Sequence, residues 1–410
     1  NSLALLLQYN FIPAPFSIYK NVYKLQPGTI LTLDSKKSGK QVPNLVSYWS
    51  LDQVVEKGLL NPFQESEAKI VEDLEKLLRD AVRLRMISDV PLGAFLSGGI
   101  DSSLIVALMQ DLADHPVQTF TIGFSESEYN EAYEAKKIAK HLGTSHTELY
   151  VSSNQALDVI PKLPYLFDEP FADSSQVPMY LISEFTKKKV AVSLSGDGGD
   201  ELFGGYNRYV WGNWAWSRIK KMPLWLRQLT ANSIGFLSPL SWDRIFKNLD
   251  FILPDSFKVR SPGYKLQKFM ELLEKNTPKD LYEVMVSNWK EPTDLVNDVA
   301  KIPDLIQGGK LWERISDFRH QMMYMDILSC LPDDILTKLD RASMGVSLEA
   351  RVPILDHRVV EYAWQIPIGI NFKEGVNKRI LRKILYKYVP RNLVERPKMG
   401  FSIPIDEWLR

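Results

Sequence analysis

The segment Ser97-Gly98-Gly99-Ile100-Asp101-Ser102-Ser103 lies between a short apolar run and an apolar helical pattern. The run 90–96 is typical of a buried strand, and residues 104–109 are typical of the start of a buried helix. Two glycines allow a tight turn and let the backbone approach a ligand closely. The start of a helix offers unpaired N–H groups and the positive end of a dipole to an anion. This order of strand, glycine turn, hydroxyls and helix predicts a phosphate-binding loop.

The alternative for this heptamer is an ordinary glycine-rich turn with a serine or aspartate helix cap. It is not a Walker loop, because no Gly-x-x-x-x-Gly-Lys-Ser/Thr occurs here, and it is not Gly-x-Gly-x-x-Gly. The negative charge of Asp101 repels a bare phosphate. A Mg²⁺ ion bound between the carboxylate and the phosphate would remove this repulsion. The heptamer resembles the PP-loop of ATP pyrophosphatases, which implies ATP and Mg²⁺ as cofactors.

A second glycine motif, Ser195 to Tyr206, reads SGDGGDELFGGY and directly follows the apolar run 190–194. Taken alone, it also fits a flexible acidic turn or a weak calcium loop, although the ligand spacing of an EF-hand is absent. Both motifs follow apolar strands. In a parallel sheet, ligands bind at the carboxyl ends of such strands. We therefore expect the two loops to meet at one sheet edge.

Strand and helix patterns alternate through the first half of the chain. The predicted strands are 90–96, 117–124, 146–151 and 190–194, and the predicted helices are 64–87, 130–141, 156–167 and 178–186. Such alternation implies an α/β fold with a parallel sheet flanked by helices. Residues 1–50 have β-like alternation around turns. From residue 207 onward helical patterns dominate, at 224–237, 266–274, 279–289, 311–326, 335–344, 358–365 and 378–389.

Composition excludes several classes of protein. The chain has 410 residues with 50 basic and 50 acidic side chains, and zero net charge argues against nucleic acid as the main partner. Cys330 is the only cysteine, which suits a reducing cytoplasm. No apolar run reaches the length of a membrane span. We therefore expect a cytoplasmic protein that acts on small molecules, with neither nucleic acid nor membrane as a partner.

Six ordered motifs carry a resemblance that covers nearly the whole chain. They are the two glycine loops, Thr337 to Met344 (TKLDRASM), Glu349 to His357 (EARVPILDH), Asn377 to Arg382 (NKRILR) and Arg396 to Phe401 (RPKMGF). With these motifs the chain resembles the glutamine-dependent asparagine synthetase family. The resemblance implies that residues 1–50 are the end of an Ntn-type glutaminase domain. It implies that residues 51–410 are the ATP pyrophosphatase domain, with an α/β core at 64–206 and a helical part at 207–410.

The resemblance also implies roles for individual residues. Asp101 and Asp200 match the family's metal and pyrophosphate positions, Lys378 matches a charge clamp for pyrophosphate, and Asp197 matches a glutamate thought to deprotonate ammonia. The positions expected to bind the nucleotide are Leu96, Ser97, Gly98, Gly99, Asp101, Ser102, Ser103, Ile122, Ser195 and Gly196. Asp197 is one methylene shorter than the family's glutamate, which shortens its reach.

The implied activity is AMP-forming amidation of a carboxylate, with aspartate preferred on family frequency. Alternatives are amidation of a sugar acid or peptide carboxylate, and a ligase that closes an internal amide as β-lactam synthetase relatives do. A Thr-Thr-Ile/Val-Arg segment of the best-known branch is replaced here by Phe171-Ala172-Asp173-Ser174, so an arginine suited to a carboxylate is missing. The family's glutaminase nucleophile is an N-terminal cysteine, whereas position 1 is Asn. We therefore expect this chain to use free ammonia rather than glutamine, with a homodimer as a possible assembly.

Overall fold

A computed structural model describes residues 1–34, 43–124, 131–249, 262–297, 299, 311–373 and 375–396. The strands in this part of the chain are β1 (Thr29–Thr32), β2 (Asn44–Ser47), β3 (Leu92–Phe95), β4 (Gln118–Phe124), β5 (Ser145–Val151), β6 (Val192–Leu194) and β7 (Glu349–Arg351). Strands β1 and β2 form an antiparallel pair. The other five form one parallel sheet in the order β5-β4-β3-β6-β7. The predicted α/β class is thereby confirmed.

Helices surround this sheet and dominate the second half of the chain. They are α1 (Ser2–Tyr9), α2 (Leu51–Leu60), α3 (Glu67–Arg85), α4 (Ile100–Leu112), α5 (Ala132–Leu142), α6 (Ser153–Leu157), α7 (Leu163–Phe167), α8 (Gln176–Lys187), α9 (Gly199–Phe203), α10 (Asn207–Ile219), α11 (Leu224–Gly235), α12 (Pro239–Leu249), α13 (Pro262–Leu273), α14 (Pro278–Val286), α15 (Phe318–Leu328), α16 (Thr337–Met344), α17 (His357–Gln365), α18 (Ile368–Asn371), α19 (Arg379–Leu385) and α20 (Arg391–Val394). A π-helical turn, Leu331–Leu336, leads directly into α16.

The strand order contains a switch point at the centre of the sheet. From β3 the chain proceeds outward through β4 to β5, and it then returns to place β6 on the other side of β3. In open parallel sheets the loops after two such strands diverge and leave a crevice between them. The loops after β3 and β6 are the two glycine motifs, so the topology brings them to one edge.

Two hydrophobic cores cover the two faces of the sheet. Ala94 and Leu96 belong to the larger core, with α3, α4 and α19, whereas Phe95 packs against the smaller core formed with α8. Successive strand residues point to opposite faces, which explains this division. The larger core holds α4, and with it the phosphate loop, against the sheet.

Helix α3 illustrates how the local sequence determines these elements. Its apolar residues recur at helical spacing, and Ile70, Leu74, Leu78 and Val82 are buried. Ser66 caps its N-terminus, since its hydroxyl accepts a hydrogen bond from the Lys69 amide at 3.4 Å. Through the buried stripe α3 packs against α4 and α19, the two helices that begin at the candidate site.

The first fifty residues contain two short strands, as their alternation indicates, but also a helix that the alternation did not predict. Helix α1 buries Leu5 and Tyr9. The segment after it is hydrogen-bonded to both parts of the chain: the Ala14 amide donates to Asp333 Oδ2 at 2.9 Å, in the helical part, and the Ile18 amide to Glu169 Oε2 at 3.1 Å, in the α/β part. These bonds hold the segment against the rest of the chain.

Several predicted boundaries differ from the structure. The predicted helix 156–167 is divided into α6, a 3-10 turn and α7, since Pro161 and Pro164 interrupt it. Strand β7 and helices α2, α10 and α12 were not predicted. The loop 36–42 and most of the motif at 396–401 lie outside the described residues. Within the described part of the chain, no helix is long and apolar enough to cross a membrane.

Candidate active site

The first glycine motif folds into a compact loop at the end of β3. Gly98 has a φ of 74°, a conformation that side chains with a Cβ rarely adopt, and Gly99 is the N-cap of α4. The Ser97 amide donates to Ser102 Oγ at 3.2 Å, and the two hydroxyl oxygens lie 3.0 Å apart. These bonds fix the turn and leave the start of α4 facing a cavity, which suits an anionic ligand.

The second glycine motif packs directly against the first. A Cβ on Gly196 would lie 2.6 Å from the backbone nitrogen of Ser102, and one on Gly199 would lie 2.5 Å from Asp101 Oδ1. Only glycine permits such an approach between the two loops. The two motifs therefore meet at one edge of the sheet, as expected from the sequence.

Lys378 lies between the acidic residues of the two loops. Its ammonium forms an ion pair with Asp101 and another with Asp200 Oδ1, at 2.6 Å. Burial lowers the pKa of Lys378, but the two carboxylates outweigh this effect, so the pKa is raised and the side chain remains protonated. Its backbone has a φ of 50°, which is uncommon for a residue other than glycine and is often found at functional sites.

The two loops and Lys378 form one wall of a cavity of about 400 Å³. Apolar side chains, including Phe120, Ile122 and Met179, also line it. A cavity that combines apolar side chains with a loop of N–H groups and charges suits a nucleotide, which has an aromatic base at one end and phosphates at the other. The further cations that line the cavity in the described part of the chain are Lys338, Arg382 and Arg396.

Three further carboxyl groups line this cavity, Glu131, Asp197 and Glu201, and the last two are hydrogen-bonded within the second glycine motif. Asp197 Oδ2 accepts a hydrogen bond from Ser195 Oγ at 2.5 Å, and burial raises the pKa of Asp197. Glu201 accepts a hydrogen bond from the Tyr206 hydroxyl at 2.5 Å. Burial, with a contribution from the Asp200 charge, raises the pKa of Glu201 to about 7. Both groups therefore hold a proton more readily than an exposed carboxyl does.

Most residues predicted for the site line the cavity. These are Leu96, Ser97, Gly98, Gly99, Asp101, Ser102, Ile122, Ser195, Gly196, Asp197, Asp200 and Lys378. Ser103 is the exception and corrects the prediction. Its side chain is fully buried on the inner face of α4, among the apolar residues 104–109, because the helix turns it away from the loop.

Three cations that line the cavity were not predicted as site residues from the sequence. Arg396 donates to the Ser97 carbonyl at 3.3 Å and lies 4.0 Å from Glu131, and Arg382 donates to the Asn377 carbonyl at 3.0 Å. Lys338 is buried and pairs with Asp173 at 2.7 Å. All three belong to motifs that carry the family resemblance, and this was the available signal.

The donors present fit a Mg²⁺ ion shared with phosphate. Asp101 and Asp200 already converge on one cation, the ammonium of Lys378, and carboxylate oxygens are the ligands that Mg²⁺ prefers. Among the described residues no group of three or more acidic, histidine or cysteine side chains is placed to hold a metal. The protein would thus supply two ligands, which is typical of Mg²⁺ bound through substrate phosphates.

Comparison with known proteins agrees with this geometry. The family model described as asparagine synthase matches residues 73–410. Asparagine synthetase [glutamine-hydrolyzing] 1 of Bacillus subtilis is 30% identical over 98% of this chain and 59% of its own length. Putative asparagine synthetase [glutamine-hydrolyzing] 2 of Methanocaldococcus jannaschii is 40% identical over 84% of this chain and 61% of its own length.

A third relative, a putative asparagine synthetase [glutamine-hydrolyzing] of Mycobacterium tuberculosis, is 30% identical over 98% of this chain and 57% of its own length. The chain thus spans about three-fifths of the length of these relatives. The family model alone covers far more than half of the chain, including both glycine loops and Lys378. The chain therefore belongs to the asparagine synthase family.

Proposed function

We propose that this chain activates a carboxylate with ATP and converts it to an amide, releasing AMP and pyrophosphate. The observation that carries the proposal is the contact between the two glycine loops, with Lys378 between Asp101 and Asp200. The N–H groups of the loop and the ammonium attract phosphate, whereas the two carboxylates repel it unless a metal ion lies between them. The arrangement therefore suits a phosphate that binds together with a metal ion.

The proposed reaction has two steps. A carboxylate oxygen of the acceptor attacks the α-phosphorus of ATP, and the bond to the oxygen that bridges the α- and β-phosphates breaks. Pyrophosphate leaves with the electron pair. Ammonia then attacks the acyl carbon, the bond between that carbon and the AMP oxygen breaks, and the nitrogen gives up a proton. The products are the amide, AMP and pyrophosphate.

The chain's own residues would stabilise the leaving group in the first step. The amides at the start of α4 and the hydroxyls of Ser97 and Ser102 face the position of the pyrophosphate, and Lys378 adds a positive charge. Charge that develops on a leaving group is stabilised most by donors that are already oriented. Asp101 and Asp200 would hold Mg²⁺, which when bound neutralises phosphate charge.

Asp197 is proposed to accept the proton that the attacking nitrogen gives up. Its carboxyl lines the cavity beside Gly196 and is fixed by the Ser195 hydroxyl. Burial raises its pKa, and a base works best when its pKa approaches the working pH.

The acceptor is proposed to be aspartate, since the matching relatives are named asparagine synthetases. Their names also state glutamine hydrolysis, so we propose glutamine as the nitrogen source of the whole protein and residues 1–50 as the end of its glutaminase domain. The exposed apolar side chains of β1 and β2, such as Ile30 and Leu45, support a covering domain. We also propose that the protein is cytoplasmic and that it forms a homodimer.

Exchange of labelled pyrophosphate into ATP tests the activation step. The protein is incubated with Mg²⁺, ATP and a panel of carboxylates, with L-aspartate first. We expect exchange with aspartate and a loss of about 10²- to 10³-fold in Asp101→Asn, the effect typical of removing one electrostatic contact.

Asp111→Asn is the matched control, because Asp111 is near the other end of α4 and pairs with Arg79 on the surface. It should exchange like the unaltered protein. Exchange retained in Asp101→Asn would remove that residue from the site, and no exchange with any carboxylate would contradict the proposed reaction.

A further inference from the structure

A second cavity, of about 350 Å³, lies next to the cavity lined by the two glycine loops and Lys378, which we call the nucleotide cavity. The segment after α1, the start of α10, the end of α15 and the π-helical turn contribute to its walls. Unlike the nucleotide cavity, it contains no glycine loop. Its charged residues in the described part of the chain are Asp173, Arg208, Asp326 and Asp334. The steps proposed above use none of these side chains.

Arg208 is held rigidly in the wall of this cavity. Its Nη2 and Nε donate to Asp326 Oδ2, at 2.9 Å and 3.2 Å, and its guanidinium lies 4.0 Å above the ring of Tyr206. Asp326 is fully buried and also accepts hydrogen bonds from Tyr209 and, at 2.8 Å, from Tyr282. The guanidinium has five N–H donors in one plane, so a fixed Arg208 retains donors for a planar carboxylate.

A carboxyl group suited to an ammonium lies in the same cavity. Asp334 Oδ1 is buried and accepts no hydrogen bond from a donor group among the described residues. Burial, together with the charge of the neighbouring Asp173, raises the pKa of Asp334 to about 7, so a bound cation would stabilise its charged form. The neighbouring Asp173 is already occupied by Lys338 at 2.7 Å and by the Ser175 hydroxyl at 2.7 Å. A buried carboxyl oxygen without a donor is costly, and an ammonium group would supply the missing donor.

The two cavities share a wall. Ser174 lines the second cavity and Ser175 the nucleotide cavity, and the Asp173–Lys338 ion pair joins a residue of one lining to a residue of the other. Tyr206, which lines the nucleotide cavity, stacks on Arg208 of the second. A ligand in the second cavity is therefore next to the carboxylate-activating site.

We propose that the second cavity binds the α-amino-acid head group of the acceptor, with Arg208 binding its carboxylate and Asp334 its ammonium. The proposal rests on the proposed function and names the class of acceptor: an α-amino acid whose side chain ends in the carboxylate to be amidated. Arg208 is the only guanidinium in the described lining of this cavity.

The test compares two acceptors that differ only in the head group. L-Aspartate carries the α-carboxylate, and the α-amide of L-aspartate replaces it with a neutral group of the same shape. We expect the unaltered protein to prefer aspartate by about 10- to 100-fold in kcat/KM, as a hydrogen-bonded charge pair provides. In Arg208→Gln the preference should fall to about 3-fold or less, through KM for aspartate, with KM for ATP unchanged. Arg208→Lys should retain part of the preference.

A second comparison tests Asp334. Succinate lacks the ammonium of aspartate, and Asp334→Asn should reduce the preference for aspartate over succinate by about 10-fold or more. Arg218→Gln is the control, since Arg218 lies on the same helix as Arg208 but is exposed and stacks on Trp214. It should leave both preferences unchanged.

The outcomes separate this proposal from the proposed function. If no carboxylate supports pyrophosphate exchange, the proposed reaction itself fails. If aspartate is activated but the aspartate preference is absent in the unaltered protein, or is unchanged in Arg208→Gln, only the head-group site is overturned. Because the first comparison uses the unaltered protein, an absent preference overturns the head-group site even if Arg208→Gln does not fold. If the preference is present, Arg208→Lys then tests whether Arg208 provides it.

Discussion

The contact between the two glycine loops can be perturbed by a single methyl group. In Gly196→Ala the new Cβ would lie 2.6 Å from the backbone nitrogen of Ser102, whereas ordinary contacts begin at 3.4 Å. The loops would have to separate by about 0.8 Å, because the nearest atoms are backbone atoms that cannot rotate away. Gly196 does not have a positive φ, so the effect would come from this separation and not from backbone strain.

The expected cost to stability is modest. Overpacking by a methylene or methyl group destabilises a protein by about 1–3 kcal/mol. Typical domains are stable by about 5–15 kcal/mol, so the variant should fold. A displacement near 1 Å between catalytic groups, by contrast, can reduce a rate by about 100-fold. We therefore expect pyrophosphate exchange to fall by about two orders of magnitude in a protein that remains folded.

The assay measures exchange and thermal unfolding on the same preparations. Gly369→Ala is the matched control, because a Cβ there has no neighbour within 4 Å and the residue is in helix α18. It should retain exchange. If Gly196→Ala is folded and exchanges pyrophosphate at more than about half the normal rate, the close approach of the loops is not required and the reasoning is refuted.

Two further predictions concern buried polar groups. Asp333 is buried, and burial raises its pKa to about 6. The folded state therefore binds this proton more tightly than the unfolded state, so stability rises as the pH falls from 7 towards 4. In Asp333→Asn this pH dependence of the free energy of unfolding should shrink by about 3 kcal/mol, measured by urea unfolding at each pH, and an unchanged difference would contradict it. Ser103→Ala should keep pyrophosphate exchange within about twofold of the unaltered protein. Its free energy of unfolding should be unchanged or slightly higher, because the buried hydroxyl has no partner among the described residues. A loss of exchange of more than about 10-fold would show that Ser103 belongs to the site.

The sequence was most informative where the signal is local. The apolar runs before Ser97 and Ser195 predicted two strands of the parallel sheet, and the glycine turns after them predicted the loops that meet. Strand β7 escaped prediction because Glu349-Ala350-Arg351 is only three residues long and two of them are charged, and it pairs because β6 provides an edge. Helix α1 escaped because its apolar run is short and nearly continuous, and such a run has no periodicity that distinguishes a helix from a strand.

The charges that complete the site are brought together only by the fold. Asp101 and Lys378 are 277 residues apart, and Asp173 and Lys338 are 165 residues apart. Nothing in the local sequence around Arg208 or Asp326 indicates that the two form a buried pair. Ser103 shows the opposite error, since adjacent serines were treated alike although a helix turns successive side chains by about 100°.

The most direct test of the central claim is a crystal structure with Mg²⁺ and α,β-methylene ATP, which cannot release pyrophosphate. We expect the β- and γ-phosphates to accept hydrogen bonds of about 3 Å from the amides between Ser97 and Ser102. We also expect one metal ion bound by both Asp101 and Asp200. Phosphates bound away from either loop, or a metal held by neither carboxylate, would contradict the claim.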